Sequence, residues 1–285
     1  MSMTVQKKLI TAREAEAYIP PLERFVGNNR LKDKLLGWLK RPIEHDPNLL
    51  IEGEPGTGKT SIVHAYLREQ FRNPWFFRED FTEERVVARK NGQTNVSLEE
   101  IREWQGGGRY FFQQINGATD SESQLRRKLD NLSSSVLEIY EDRQTTHKVC
   151  IVDEIGEVFF RGLDEALRPT LEESGITTYA TAQNFHSKRK TDSFKEEDQR
   201  LTALLRRFSH REKTEPPTEA DHFKFLVFLI GEWNLKIDDP GTLRLLVDKS
   251  QGVVGLSKRI LIRVIDEPDR RLTRKLVEEG DVNPL

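Results

Sequence analysis

Gly53-Glu54-Pro55-Gly56-Thr57-Gly58-Lys59-Thr60 is the stretch on which the reading of this chain turns. It satisfies G-x-x-x-x-G-K-[ST], the phosphate-binding loop, at every defined position. Asn48-Leu49-Leu50-Ile51-Glu52 before it reads as a short buried strand, and the residues from Ser61 to Arg68 carry apolar side chains at helical spacing. The chemistry requires this strand–loop–helix setting. Glycines let the backbone curl so that successive N–H groups point at one anion, and the helix dipole adds to the attraction. Glu54, Pro55, Gly56, Thr57, Gly58, Lys59, Thr60 and Ser61 are thus the expected cradle for a nucleoside triphosphate. Lys59 is expected on the β- and γ-phosphates and the Thr60 hydroxyl on Mg²⁺. A Gly-rich turn between packed elements would leave Lys59-Thr60 unexplained.

The chain has 285 residues, enough for one large domain or a domain with a smaller companion. Its apolar share is 36% and its charged share 32%, which implies a well-solvated surface. No apolar run approaches the roughly 18 residues of a membrane span. The first twenty residues lack a signal peptide's apolar stretch, so a cytoplasmic location and no membrane partner are expected. Cys150 is the lone cysteine, lies in an apolar run, and reads as a small core residue. The net charge of −2 excludes a chain that is basic overall, so any contact with nucleic acid needs a local basic patch.

Residues 1–20 read as a loosely attached arm ended by Pro20-Pro21. A helix follows at about 29–40, strands at 48–52, 109–116, 147–153 and 175–182, and helices between them at about 59–71, 122–142 and 161–173. This alternation predicts a parallel sheet covered by helices on both faces, a three-layer α/β domain over 21–214. The aromatic, charged stretch 72–108 breaks the rhythm and reads as an insertion. Glu215-Pro216-Pro217-Thr218 is a linker ending in a helix cap. Beyond it, 215–285 reads as a small all-helical domain, with helices at about 219–233, 240–249, 255–265 and 270–279.

Val149-Cys150-Ile151-Val152-Asp153-Glu154 places two carboxylates at the end of a buried strand, where open α/β sheets bind ligands. Asp153 is expected to hold Mg²⁺ through water, and Glu154 to orient or deprotonate an attacking water. Alone, such a pair also serves as an ordinary helix cap. Downstream of an intact phosphate loop, it favours hydrolysis.

The set GEPGTGKTS, VCIVDE, a further strand ending in a polar residue, LLRRF and a helical C-terminal lid resembles the AAA+ ATPases. The resemblance runs from about residue 22 to 280, and several stretches look like the clamp-loader and initiator branch. It implies an ATP-hydrolysing enzyme and places Val26 and Gly27, from Phe25-Val26-Gly27-Asn28-Asn29, in an adenine-pocket box. It implies sensor 1 at Asn184, with Gln183 and Thr181 as shifts of register. Arg207, immediately before Phe208, matches the arginine finger, with Arg206 the competitor. Lys258 and Arg259 are the candidates for sensor 2; they point about 100° apart on a helix, so one of them can face the nucleotide.

An arginine finger acting between subunits implies a homo-oligomer, a ring or filament. The stretch 186–213 is rich in Lys and Arg and could track phosphates, or simply be a solvated loop. Clamp loaders carry a further collar and initiators a winged helix, for which the chain leaves no room, so the expectation falls on compact forms resembling the ATPase regulators of DNA transposition. Such a switch would act on double-stranded DNA together with an unidentified protein partner. The rival expectation is a protein-remodelling, scaffold or signalling ATPase with no nucleic-acid contact. Residues 117–122 lack the aromatic of a threading loop, which weighs against remodelling.

Overall fold

The computed structural model describes residues 9–16, 18–70, 110–133, 147–172, 175–183 and 194–280. The expected insertion at 72–108, and the helix expected to continue from 134 to 142, lie outside the described residues. In chain order the helices are α1 (Ala12–Glu16), α2 (Asn29–Trp38), α3 (Lys59–Gln70), α4 (Glu122–Ser133), α5 (Ile155–Phe160), α6 (Asp164–Glu172), α7 (Phe194–Leu205), α8 (Glu219–Trp233), α9 (Pro240–Lys249), α10 (Val254–Asp266) and α11 (Arg274–Glu279). The strands are β1 (Leu49–Glu52), β2 (Tyr110–Asn116), β3 (His147–Asp153), β4 (Ile176–Ala182), β5 (His210–Lys213), β6 (Lys236–Ile237) and β7 (Arg271–Leu272). Two compact units result: Pro21–Glu23 with Arg30–Thr214, and the N-terminal residues to Pro20 with Arg24–Asn29 and all from Glu215.

The first unit has the expected α/β fold. Its strands form one parallel sheet in the order β2-β3-β4-β1-β5 among the described residues. β4 is buried at all seven positions, as its β-branched run Ile176-Thr177-Thr178 and both flanking strands require of a central parallel strand. Alternate residues serve opposite faces. Leu50, Ala180 and Val152 join Leu125, Leu129, Leu167, Leu201 and Phe208 in a core under α4, α6 and α7. On the other face the Tyr179 ring lies 5.9 Å from Tyr66 of α3, which meets Trp38 of α2 at 6.4 Å. The three layers are therefore helices, sheet and helices.

β5 was not expected. His210-Arg211-Glu212-Lys213 has no apolar run, yet it pairs with β1 from Leu49↔His210 to Glu52↔Lys213. An edge strand exposes alternate residues and tolerates charge. The helix expected at 161–173 is α6, which begins at Asp164; the short α5 before it was not expected and is closed off by Gly162 at φ +71°.

A buried polar knot precedes β1. The Asp46 side chain is fully buried and accepts hydrogen bonds from Tyr66 Oη, from Tyr179 Oη at 2.7 Å and from Arg41 Nε at 3.0 Å. Asp46→Ala should cost about 3–5 kcal/mol, the scale for stranding buried donors and a partnered charge. Urea unfolding with an unchanged midpoint would contradict this role.

The second unit is mainly helical. Thr218 caps α8 by accepting from Asp221 N, as the linker reading expects, and Asp239 caps α9 ahead of Pro240. Leu226, Leu229, Trp233, Leu246, Leu261 and Val264 fill its core. Two departures from the sequence reading appear here. β6 and β7 pair in parallel within a stretch read as all helix, Lys236↔Arg271 and Ile237↔Leu272. The described part of the N-terminal arm is not loose. Ala15 of α1 is fully buried, Tyr18 stands edge-on to Trp233 at 5.9 Å, and Arg270 donates to the carbonyls of Ile10 and Trp233. Alternating charge in residues 12–16 hid these few anchoring contacts. No helix among the described residues is long and apolar enough to cross a membrane.

Candidate active site

β1, β3 and β4 are parallel and finish at the same, carboxyl-terminal end of the sheet, so the segments that follow them converge there. β1 leads into the P-loop, where Gly56 and Gly58 adopt φ +75° and +82°, conformations that a side chain would resist. α3 starts at Lys59 itself, which puts the loop's N–H groups at a helix N-terminus. Glu54, Pro55, Gly56 and Ser61 are exposed, whereas Thr57 and Lys59 are buried. The Lys59 ammonium donates to the carbonyls of Gly53 at 2.9 Å and Glu54 at 3.0 Å. Burial pushes its pKa down, and Glu154, Asp153 and Glu54 oppose that shift.

β3 delivers the carboxylates. Asp153 Oδ1 accepts from Thr60 Oγ1 at 2.6 Å and also from Thr181 Oγ1. Glu154 adopts φ 54°, the left-handed region, which is costly for a residue with a side chain and recurs at functional sites. Its N–H donates to Thr181 Oγ1 at 3.2 Å, and its carboxylate accepts from Gln183 N at 3.3 Å. A Cβ at Gly117 would fall 2.3 Å from the Glu154 carbonyl oxygen, so the turn after β2 presses directly on this backbone. Arg161 fastens the same turn, donating to the carbonyls of Gly117 and Asp120 at 3.0 and 2.8 Å.

Two residues here carry more than the sequence reading gave them. Thr181, offered only as a register shift for sensor 1, is fully buried and bonded to both acidic residues of the strand end. Its signal was its place two residues before the polar Gln183-Asn184 pair. His64, one turn after Thr60 on α3, was not singled out. Burial lowers its pKa to about 4 despite the nearby Asp153, so it stays neutral at pH 7 and adds no cation to the site.

Asn184 lies outside the described residues. Arg207 is on the same unit as the P-loop but beside α6, where its Nε and one terminal nitrogen engage Glu172 at 2.8 and 2.7 Å. Arg206 is exposed and makes no ion pair among the described residues. Val26, Gly27, Lys258 and Arg259 belong to the other unit. Gly27 has φ +79°, and Asn28 accepts from Glu215 N at 3.1 Å. Lys258 Nζ donates to the carbonyls of Glu16 at 2.9 Å and Tyr18 at 3.0 Å, which fastens the arm, while Arg259 is exposed.

The oxygens of Thr60 and Asp153 suit Mg²⁺, which takes one or two protein oxygens and completes its shell with water and phosphate. No group of three or more His, Cys, Asp or Glu able to cage a metal occurs among the described residues, and Mg²⁺ with a nucleotide does not require one.

No family model matches the chain. The replication factor C small subunit of Archaeoglobus fulgidus is 31% identical over 130 residues, 42% of this chain and 39% of that protein. The match thus spans about two fifths of that relative's length. RuvB, the Holliday junction branch migration motor of Thermotoga maritima, has the same fold at TM-score 0.53 and 16% identity, over 92% of this chain and 71% of that one. Domain III of the Thermotoga maritima replication initiation protein DnaA matches at TM-score 0.53 and 15% identity, over 90% and 89%. The likeness to these solved structures is one of fold, a parallel three-layer α/β domain.

Proposed function

We propose that this chain binds ATP with Mg²⁺, hydrolyses it, and uses the cycle to assemble on and leave DNA. The observation that carries the catalytic part is that Thr60 and Thr181 both donate to Asp153 beside the P-loop, while the same Thr181 accepts from the Glu154 N–H. The P-loop N–H groups and Lys59 bind the β- and γ-phosphates. Thr60 and Asp153 would hold Mg²⁺, which would supply positive charge beside the phosphate oxygens. Glu154 orients a water and takes its proton as the oxygen attacks the γ-phosphorus, while the bond to the β–γ bridging oxygen breaks and ADP departs. Thr181 and Gln183 keep the two carboxylates in place.

Arg207 completes the site of a neighbouring subunit in this reading. A guanidinium supplied across an interface stabilises charge on the transferring phosphoryl and is worth about 10³–10⁵ in rate. Arg207→Ala protein should therefore turn ATP over at least about a hundredfold more slowly. Mixed with Glu154→Gln protein, it should regain activity, because one interface then pairs an intact Glu154 with an intact Arg207. No rescue at any mixing ratio would argue against action between subunits.

The DNA role is supported by the likeness to replication factor C, RuvB and DnaA. Sedimentation with a non-hydrolysable ATP analogue, with and without double-stranded DNA, tests it. Larger assemblies that need both ligands are expected. Assembly indifferent to DNA would turn the reading toward a scaffold or protein-remodelling ATPase, with a protein partner in place of nucleic acid.

A further inference from the structure

β5 ends where Thr214 enters the P-loop's own hydrogen bonding. The Thr214 and Thr57 hydroxyls lie 2.7 Å apart, and both residues are buried. A Cβ built on Gly53 would fall 1.9 Å from Thr214 Oγ1 and 3.2 Å from its Cβ, so the first glycine of the loop is the point at which this threonine presses against it. Thr214 is itself fixed, its N–H donating to the Glu52 carbonyl at 2.8 Å.

Two hydroxyl protons serve this contact. Thr57 donates to the Glu54 carbonyl at 2.8 Å, in which case Thr214 donates to Thr57. In the opposite order Thr57 donates to Thr214, and Thr214 to the Glu52 carbonyl at 3.3 Å. The bond between the two hydroxyls is present in both. It ties the loop's turn from Glu54 to Thr57 to the end of a strand outside the motif. A buried hydroxyl that loses its partner keeps the cost of desolvation, so the contact resists opening.

We propose that Thr214 is a positioning residue for nucleotide binding. It holds Thr57, and with it the N–H groups of the loop, in the phosphate-binding arrangement. The inference rests on the nucleotide-binding reading above. Thr214 touches no phosphate in this scheme; it acts through Thr57.

The test is calorimetric titration of the full chain with a non-hydrolysable ATP analogue and Mg²⁺. Thr214→Val keeps the shape and removes the hydroxyl, and should weaken affinity roughly fivefold, the scale of one buried neutral hydrogen bond. Thr214→Ser restores the hydroxyl and should bind within about twofold of the parent. Thr57→Val should match Thr214→Val. The double valine variant should be no weaker than either single one, because both remove the same bond. Thermal midpoints without nucleotide separate binding from folding. If Thr214→Val fails to fold, Thr57→Val against Thr57→Ser makes the same comparison from the other side. Parent-like binding by Thr214→Val, or valine effects that multiply, would overturn the inference and leave the nucleotide reading intact. A parent chain that does not bind the analogue would overturn both.

Discussion

Lys59→Ala protein is expected to bind ATP at least about a hundredfold more weakly than the parent chain, the loss of charge-assisted bonds worth about 1.5–3 kcal/mol each. The reason lies in where the ammonium starts. Lys59 is buried at the first turn of α3, bonded to two carbonyls of its own loop and within the field of Glu154, Asp153 and Glu54. Its stem is already ordered, so turning toward a phosphate costs little rotamer entropy. Removing it also takes away a positive charge that partly offsets Asp153, Glu154 and Glu54, which makes the site more repellent to a triphosphate. The Glu54 carbonyl keeps a donor in Thr57, so the fold should survive with a thermal midpoint close to the parent's. Titration with ATP and Mg²⁺ checks this. Undiminished affinity would remove the basis for calling this loop the phosphate site.

Glu154→Gln should separate binding from chemistry. Glutamine has nearly the same shape and can still accept the Gln183 N–H, so ATP affinity should stay within about threefold of the parent. It cannot take a proton from water. Loss of a positioned general base lowers turnover by about 10²–10⁴, and the protein should accumulate in its ATP-bound, assembled form. Phosphate release under single-turnover conditions is the measurement. Normal turnover would show that another group activates the water, and would make the left-handed backbone at Glu154 a purely structural matter.

Much of this architecture could be read in advance because its signals are local. β1, β2, β3 and β4 fall within a residue of the expected strands, since each is a short apolar or β-branched run between turns. The P-loop and Asp153-Glu154 are contiguous motifs whose chemistry dictates their order. What escaped reading depends on partners distant in sequence. His210–Lys213 is a strand because β1 offers it a free edge, and nothing in HREK announces that. β6 and β7 exist only as each other's partner. Thr181 and Thr214 look like ordinary strand-end threonines. Their importance arises from the sheet order, which sets both strands beside β1. The Glu172 contact of Arg207 and the carbonyl contacts of Lys258 are likewise tertiary, and no spacing rule reports them.

The sheet order also governs when the site can come into being. β1 is made early, yet both of its neighbours, β4 and β5, are made only as the α/β unit nears completion. A growing chain that has emerged through Glu154 holds the P-loop and both acidic residues, but the strand bearing the loop still lacks both of the strands it pairs with in the finished sheet. Such non-local parallel pairing is slow to form. The proposed nucleotide cradle is therefore a late product of folding, and a nucleotide that binds it would stabilise the finished α/β unit over every shorter intermediate.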